Sequence, residues 1–259
     1  MQRISVRSVP VIMYHHVLPE GGFITSSTKE FEAQMAYLAK KGYKTLTSEE
    51  FLAFKRGNYE PPKRSVLITF DDGWRDNYVY AYAILKKYGL RATLFVVTEW
   101  VEEASRVEAE FAALSHNECK EAISTNPRGV MLNWEELKQM SDVFDIHSHT
   151  HTHRDNYFPS VEWHEDFEIS KNLLKERLGI ESHHLCWPRG KYTQGLIRTA
   201  KAMGYEILYT TERGVNLPDN KTDAIKRIAA KKGAFWLAKN LFFFSRPLLG
   251  AWYAKKKHS

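Results

Sequence analysis

Apolar residues along this chain fall in short unbroken runs separated by longer amphipathic stretches. Val9 to Tyr14, Ser65 to Phe70, Ala92 to Val97, Val143 to Ile146, His184 to Trp187 and Glu206 to Thr210 each read as a strand. Runs this short and this apolar, bounded by turn residues, suit strands buried on both faces. Between them, helical spacing covers Ser27 to Lys41, Thr47 to Gly57, Asp76 to Tyr88, Asn133 to Met140, Val161 to Leu178 and Gln194 to Met203. Ser27 with Glu30, and Thr47 with Glu50, carry the capping-box pattern of a helix start. Gly42, Gly89 and Gly179 stand where helices stop. Trp100 to Val130 has no clear period and reads as an insertion holding one helix. Strands alternating with helices call for a parallel sheet covered by helices. Seven or so such units favour an α/β fold of the distorted (β/α)7–8 barrel type in a single domain, with a doubly wound open sheet as the rival.

The chain has 259 residues, 43% of them hydrophobic, enough for one sizeable core. Its two cysteines, Cys119 and Cys186, are too few for a disulfide framework and fit a reducing compartment or small buried apolar positions. The opening MQRISVRSVPVIMYHHV reads as a strand rather than a secretory signal, and no apolar run is long enough to span a bilayer. The expected location is cytoplasmic. Net charge is +6, but from Ala224 onwards there are nine Lys and Arg and no Asp or Glu, leaving 28 basic against 31 acidic residues before it. A body of balance −3 with a basic tail argues against a nucleic-acid partner. The chain divides into a barrel, 1–223, and a basic aromatic segment, 224–259. In that segment Phe235, Trp236, Phe242, Phe243, Phe244, Trp252 and Tyr253 interleave with Lys and Arg. The composition suits either the surface of an anionic membrane, on the inner face of the cytoplasmic membrane, or a last helix packed on the barrel.

Three segments carry candidate chemistry, each just after a strand. Thr69-Phe70-Asp71-Asp72-Gly73 closes the SVLITF run. In α/β barrels that end gathers catalytic side chains. Two adjacent carboxylates can share one mouth only if the strand is ending there, and Asp-Gly is also ordinary turn chemistry. His147 to His153 holds four histidines in seven positions. His149 and His153, four apart, suit two nitrogen ligands to zinc. Asp72 makes a third, leaving an open position for water. A solvated polar loop is the alternative. Cys186-Trp187-Pro188-Arg189-Gly190-Lys191-Tyr192 forms a sharp turn that either presents backbone N–H groups to a ligand or simply leads into a helix.

Together these segments resemble the polysaccharide deacetylase family, also called the NodB-homology or carbohydrate esterase 4 family. TFDDG matches its first motif, Ser148 to His153 its second, and CWPRGKY its third more loosely. The opening VPVIMYHHV is similar to that of relatives that deacetylate exopolysaccharides, and the likeness runs over roughly residues 9–215. The resemblance implies Asp71 as general base and Asp72, His149 and His153 as ligands of a divalent metal ion, usually zinc. It implies the N–H of Arg189 as an oxyanion donor. Trp74 and Trp187 are either core or surface residues or stack on a sugar ring, and Pro188 and Tyr192 of the third motif are taken with them as candidate substrate contacts. The late Leu-x-x-His element that supplies the acid in usual members is missing. His15 takes its place in this reading, with His16 the other candidate and a structural role open to either. Arg189 stands where an aromatic residue is common and can meet a phosphate or carboxylate. His147 and His151 are assigned behind the ligands or to the exposed surface, and His116 to core or surface. The implied activity is hydrolysis of the acetamido group of an N-acetylated sugar, in a lipid-linked or cell-envelope glycan such as a lipopolysaccharide core. The alternatives are a glycan-binding protein without catalysis and an amidohydrolase on a small cyclic amide.

Overall fold

A computed structural model describes residues 7–154 and 162–256. Val161, the expected start of one helix, and Lys257 of the basic tail lie outside the described residues. In chain order the elements are β1 (Val11–Tyr14), β2 (His16–Leu18), β3 (Thr25–Ser27), α1 (Thr28–Lys40), β4 (Lys44–Thr45), α2 (Ser48–Lys55) and β5 (Ser65–Phe70). A π-turn, Asn77–Tyr82, runs into α3 (Ala83–Lys87), followed by β6 (Ala92–Val96), α4 (Thr98–Ala104), α5 (His116–Ala122), α6 (Pro127–Val130), α7 (Trp134–Met140) and β7 (Phe144–Ser148). The remainder is α8 (Trp163–Leu178), β8 (His184–Cys186), α9 (Gln194–Ala202), β9 (Ile207–Tyr209), β10 (Ile228–Ala229), α10 (Ala234–Phe244) and α11 (Pro247–Lys255).

Eight strands form one parallel sheet in the order β10-β1-β5-β6-β7-β8-β9, with β4 against β5. The sheet curls into the distorted barrel that the alternation predicts. Its two edges meet in one stretch of chain. The N–H of Leu208 donates to Thr222 and that of Ile225 to Leu208, while three residues later Ile228 pairs with Ile12 of β1.

Side-chain alternation along the strands sorts the apolar residues into two layers. Ile12, Tyr14, Val66, Ile68, Phe70, Leu94, Val96 and Ile146 point outward under the helices. Val11, Leu67, Phe95, Cys186, Ile207 and Tyr209 point inward, and Phe51, Leu52 and Phe54 of α2 join them. Both capping boxes form, at Ser27 on α1 and at Thr47 on α2, and Gly179 closes α8 in the left-handed conformation.

The stretch from Trp100 to Val130 differs from expectation. It holds the end of α4 together with α5 and α6, and Trp100 itself is helical. The segment set apart at Ala224 also differs, because it starts inside the barrel. Arg227 is fully buried, β10 pairs with β1, and Leu237, Leu241, Phe244 and Ala254 belong to the outer core. Barrel structure therefore continues past residue 223.

Candidate active site

The inward face of the sheet turns polar at its C-terminal mouth. Asp71 follows Leu67 and Thr69 in the inward register, and His15 follows Val11 and Met13. Asp72, one residue further, ought to point away. It is brought back by a left-handed kink: Asp72 has φ 77° and Gly73 φ 92°. A Cβ on Gly73 would also press on Val96 Cγ1 at 3.2 Å. The carboxylate is then held by the Trp74 indole, which donates to Oδ2 at 2.8 Å.

The other Asp72 oxygen faces two imidazoles, with His149 Nε2 at 3.2 Å and His153 Nε2 at 3.5 Å. Ligand atoms about 2.0–2.1 Å from a tetrahedral zinc ion stand about 3.4 Å apart, so this trio has the edge lengths of such a site. His149 Nδ1 donates to the Cys186 carbonyl at 2.7 Å, which leaves Nε2 as the lone-pair nitrogen, the usual support for a ligating histidine. A tight loop rather than a helical turn brings His153 round. Buried Asp166 of α8 accepts from the N–H groups of His151 and Thr152, and Thr150 Oγ1 accepts from that of His153. By donor set and spacing these three residues fit a divalent cation.

Asp71, His149 and Cys186 also lie within ligand reach of one another. That space already has a cation. Arg227 grips Asp71 with Nη1 and Nη2, both at 2.7 Å, while Nη2 lies 3.1 Å from Cys186 Sγ and Nε donates to the Thr210 carbonyl. Burial would raise the Asp71 pKa, but the Arg227 charge and hydrogen bonds overcome it and hold the carboxyl below the ordinary aspartate value. Sequence reasoning missed Arg227. The available signal was a carboxylate expected to be buried at the strand mouth and therefore needing a cation; nothing local singles out Arg227 as that cation.

Alternation separates the two candidate acids. His15 lines the pocket, with Nε2 3.8 Å from Asp71 Oδ2. Burial lowers its pKa against the pull of Asp72 and Asp71. His16 faces the opposite way, fully buried, with Nδ1 2.7 Å from Asp76 Oδ2.

Arg189 lines the pocket too, in a left-handed conformation at φ 54°. Beside it Gly190 is required, since a Cβ there would fall 2.6 Å from the Thr211 nitrogen. Trp187 is a correction: it is fully buried, 6.0 Å from both the Phe167 and the Tyr192 ring, and cannot stack on a sugar. Pro188 is buried as well, and the Tyr192 hydroxyl donates to Glu212. Trp74 does line the pocket, but its indole N–H is committed to Asp72. His147 is neither exposed nor behind the ligands. It stacks on His184 with centroids 4.2 Å apart and hydrogen-bonds Ser48 and Ser182. The pocket, about 370 Å³, is closed on one side by Trp100, His116, Asn117 and Lys120 from the insertion. No sequence signal brings His116 here.

Known proteins supply an independent comparison. The model of the polysaccharide deacetylase family matches residues 58–208. YxkH of Bacillus subtilis is 30% identical over 227 residues, covering 87% of this chain and 72% of that one. The poly-beta-1,6-N-acetyl-D-glucosamine N-deacetylase of Staphylococcus aureus is 28% identical over 212 residues, covering 81% and 69%. Among solved structures, the deacetylase PplD of Streptococcus pyogenes superposes with a TM-score of 0.75 at 24% identity, covering 93% of this chain and all of that one. IcaB from Ammonifex degensii gives 0.71 at 24%, covering 87% and 92%. With the motif residues gathered at one barrel mouth and the family match spanning more than half its length, the chain belongs to the polysaccharide deacetylase family.

Proposed function

We propose that this protein is a divalent-metal-dependent de-N-acetylase that hydrolyses the acetamido group of an N-acetylated sugar. The observation that carries the reading is the Asp72, His149, His153 trio, spaced for a tetrahedral ion and opening onto a pocket beside a separate buried carboxylate. A zinc ion bound there would polarise the acetyl oxygen and lower the pKa of water from about 15.7 towards 7. Asp71 takes the proton of the attacking water, held in one orientation by Arg227. The Arg189 N–H is placed by this reading against the developing oxyanion, a contact of a kind worth about 2.7–4 kcal/mol. His15, within 3.8 Å of Asp71, receives that proton and delivers it to the departing amine. Protons balance: one leaves water and one arrives on nitrogen.

The test is deacetylation of β-1,6-linked N-acetylglucosamine oligomers by protein loaded with zinc. Chelation is expected to abolish turnover and zinc to restore it. Asp71→Asn should bind zinc normally and lose about 10²–10⁴-fold in kcat. His149→Ala should lose both metal and turnover. Full activity in the Asp71 variant, or in metal-free protein, would defeat the reading.

We also infer that the glycan is lipid-linked, as in a lipopolysaccharide core, and is met at an anionic membrane surface. No described helix is long and apolar enough to cross a membrane. What supports the inference is the outer face of α10 and α11. Phe235 and Leu248 are 85% and 88% exposed, Phe242 and Trp252 about half exposed, and Lys239, Arg246, Lys255 and Lys256 lie among them.

A further inference from the structure

The insertion contributes more than a wall. His116, the first residue of α5, lines the pocket with Asp72 and Trp74, and its Nδ1 lies 3.1 Å from Nε2 of buried His16. The other nitrogen of His16 is 2.7 Å from Asp76 Oδ2. Asp76 is itself buried, and its Oδ1 accepts from the Val17 N–H at 2.8 Å and from Asn77 Nδ2 at 2.9 Å. Three side chains thus form a chain from the barrel wall to the pocket.

The direction of this chain follows from donor and acceptor counting. A carboxylate only accepts, so His16 must donate from Nδ1. With His16 taken as a neutral imidazole, which carries one N–H and one lone pair, its Nε2 accepts. His116 must then donate from Nδ1, which leaves its Nε2 as a lone pair. No hydrogen-bond partner for that nitrogen occurs among the described residues. The ring is also fixed sideways, edge-on to Trp74 at 5.9 Å between centroids.

We propose that His116 Nε2 is a hydrogen-bond acceptor for a hydroxyl group of the sugar substrate, and that Asp76 and His16 are positioning residues that set its tautomer. The proposal rests on the de-N-acetylase reading for the identity of its ligand, but not for the tautomer itself. Burial, reinforced by His16, pushes the His116 pKa down to about 4, so the acceptor form persists through neutral pH. It also follows that the pocket-facing Nε2 of His116 carries no proton in this form, which leaves the acid role to His15.

Asp76→Asn offers a sharp test because it keeps the shape. An asparagine can hold its oxygen on the Val17 N–H and turn its amide towards His16. Both imidazoles must then invert, and His116 Nε2 becomes a donor. Nitrogen-15 imidazole spectra of the zinc-loaded full chain read the tautomers without substrate. The expected result is Nδ1–H for both His16 and His116 in the wild type and Nε2–H for both in Asp76→Asn. A wild-type His116 carrying its proton on Nε2, or carrying two, overturns the proposal.

Kinetics supply the second arm. With N-acetylglucosamine oligomers, His116→Ala and Asp76→Asn should each lower kcat/KM by about tenfold or more, with zinc content unchanged. Among the 3-deoxy and 4-deoxy oligomers, one should be a poorer substrate for the wild type and not for His116→Ala. Retained discrimination in His116→Ala overturns the role of His116 and leaves the de-N-acetylase reading intact. Absence of turnover by the wild type would sink that reading, and binding of the same deoxy series to Asp71→Asn would then decide the hydroxyl contact.

Discussion

Asp72 and Gly73 show what one residue of backbone can do at a strand end. Left-handed φ at a non-glycine costs roughly 1–2 kcal/mol, and here it turns a second carboxylate into the same mouth as Asp71. Gly73→Ala is expected to strain that turn and press on Val96, lowering stability by about 1–3 kcal/mol and weakening zinc binding; thermal melting with and without zinc measures both. Arg227 is the other residue on which the mouth depends. Removing one partner of a buried ion pair typically costs about 3–5 kcal/mol, because the survivor is left charged and unpaired. Arg227→Met should therefore unfold at lower denaturant than the wild type, while Arg227→Met with Asp71→Asn should recover much of that loss and remain inactive. Chemical denaturation of the three proteins checks the ordering; equal stability of single and double variants would show that the charge was not isolated. The candidate ligands Asp72, His149 and His153 could be picked out in the sequence because each falls beside a strand in a dense motif, and the structure brings them together. Arg227 was not, because its partner lies 156 positions away and nothing local marks the pairing.

Elements were legible where a helix start or a long apolar run announces itself. The capping boxes at Ser27 and Thr47 gave helix starts that α1 and α2 bear out, and SVLITF gave β5. β4 and β10, two residues each, are too short to show a period, so only pairing with their neighbours defines them. The strand β7 carried a second surprise, since its inward positions become a polar cluster where α2 meets the barrel. There His184 is fully buried, with Nδ1 3.0 Å from the Tyr209 hydroxyl and Nε2 3.3 Å from Glu49. Burial lowers the His184 pKa, and Glu49 pulls the other way. A histidine kept neutral by folding binds its proton more readily when unfolded. Its contribution is complete above the unfolded value of about 6.5 and declines as pH falls below it. The melting temperature should accordingly drop between about pH 6.5 and 5, and less steeply in His184→Gln. Parallel curves for the two proteins would remove His184 from the acid response.

At the scale of the whole molecule, the segment from Ala224 onwards has two faces, where the sequence offered two readings as alternatives. Its inner side completes the barrel through β10 and packs α10 on α1, while its outer side leaves large apolar side chains in water among cations. Composition alone cannot divide these roles, because the same Phe and Lys residues serve both faces until α10 fixes which ones point inward. Leu237, Leu241 and Phe244 face the core, so deleting the segment would expose the barrel and test nothing about a membrane. Surface substitution does test it. Phe235→Gln, Leu248→Gln and Trp252→Gln together remove exposed apolar area and leave the packed face alone. The wild type should float with vesicles containing phosphatidylglycerol and not with neutral ones, since each Lys or Arg near an anionic surface contributes about 1 kcal/mol. Salt near 0.5 M, where the Debye length is roughly 4 Å, should release it. The triple variant should stay in the soluble fraction while deacetylating a soluble oligomer as fast as the wild type. If it floats as well as the wild type, the exposed side chains do not hold a membrane. If neither protein floats, the outer face of α10 and α11 has no lipid partner, and the substrate need not be lipid-linked.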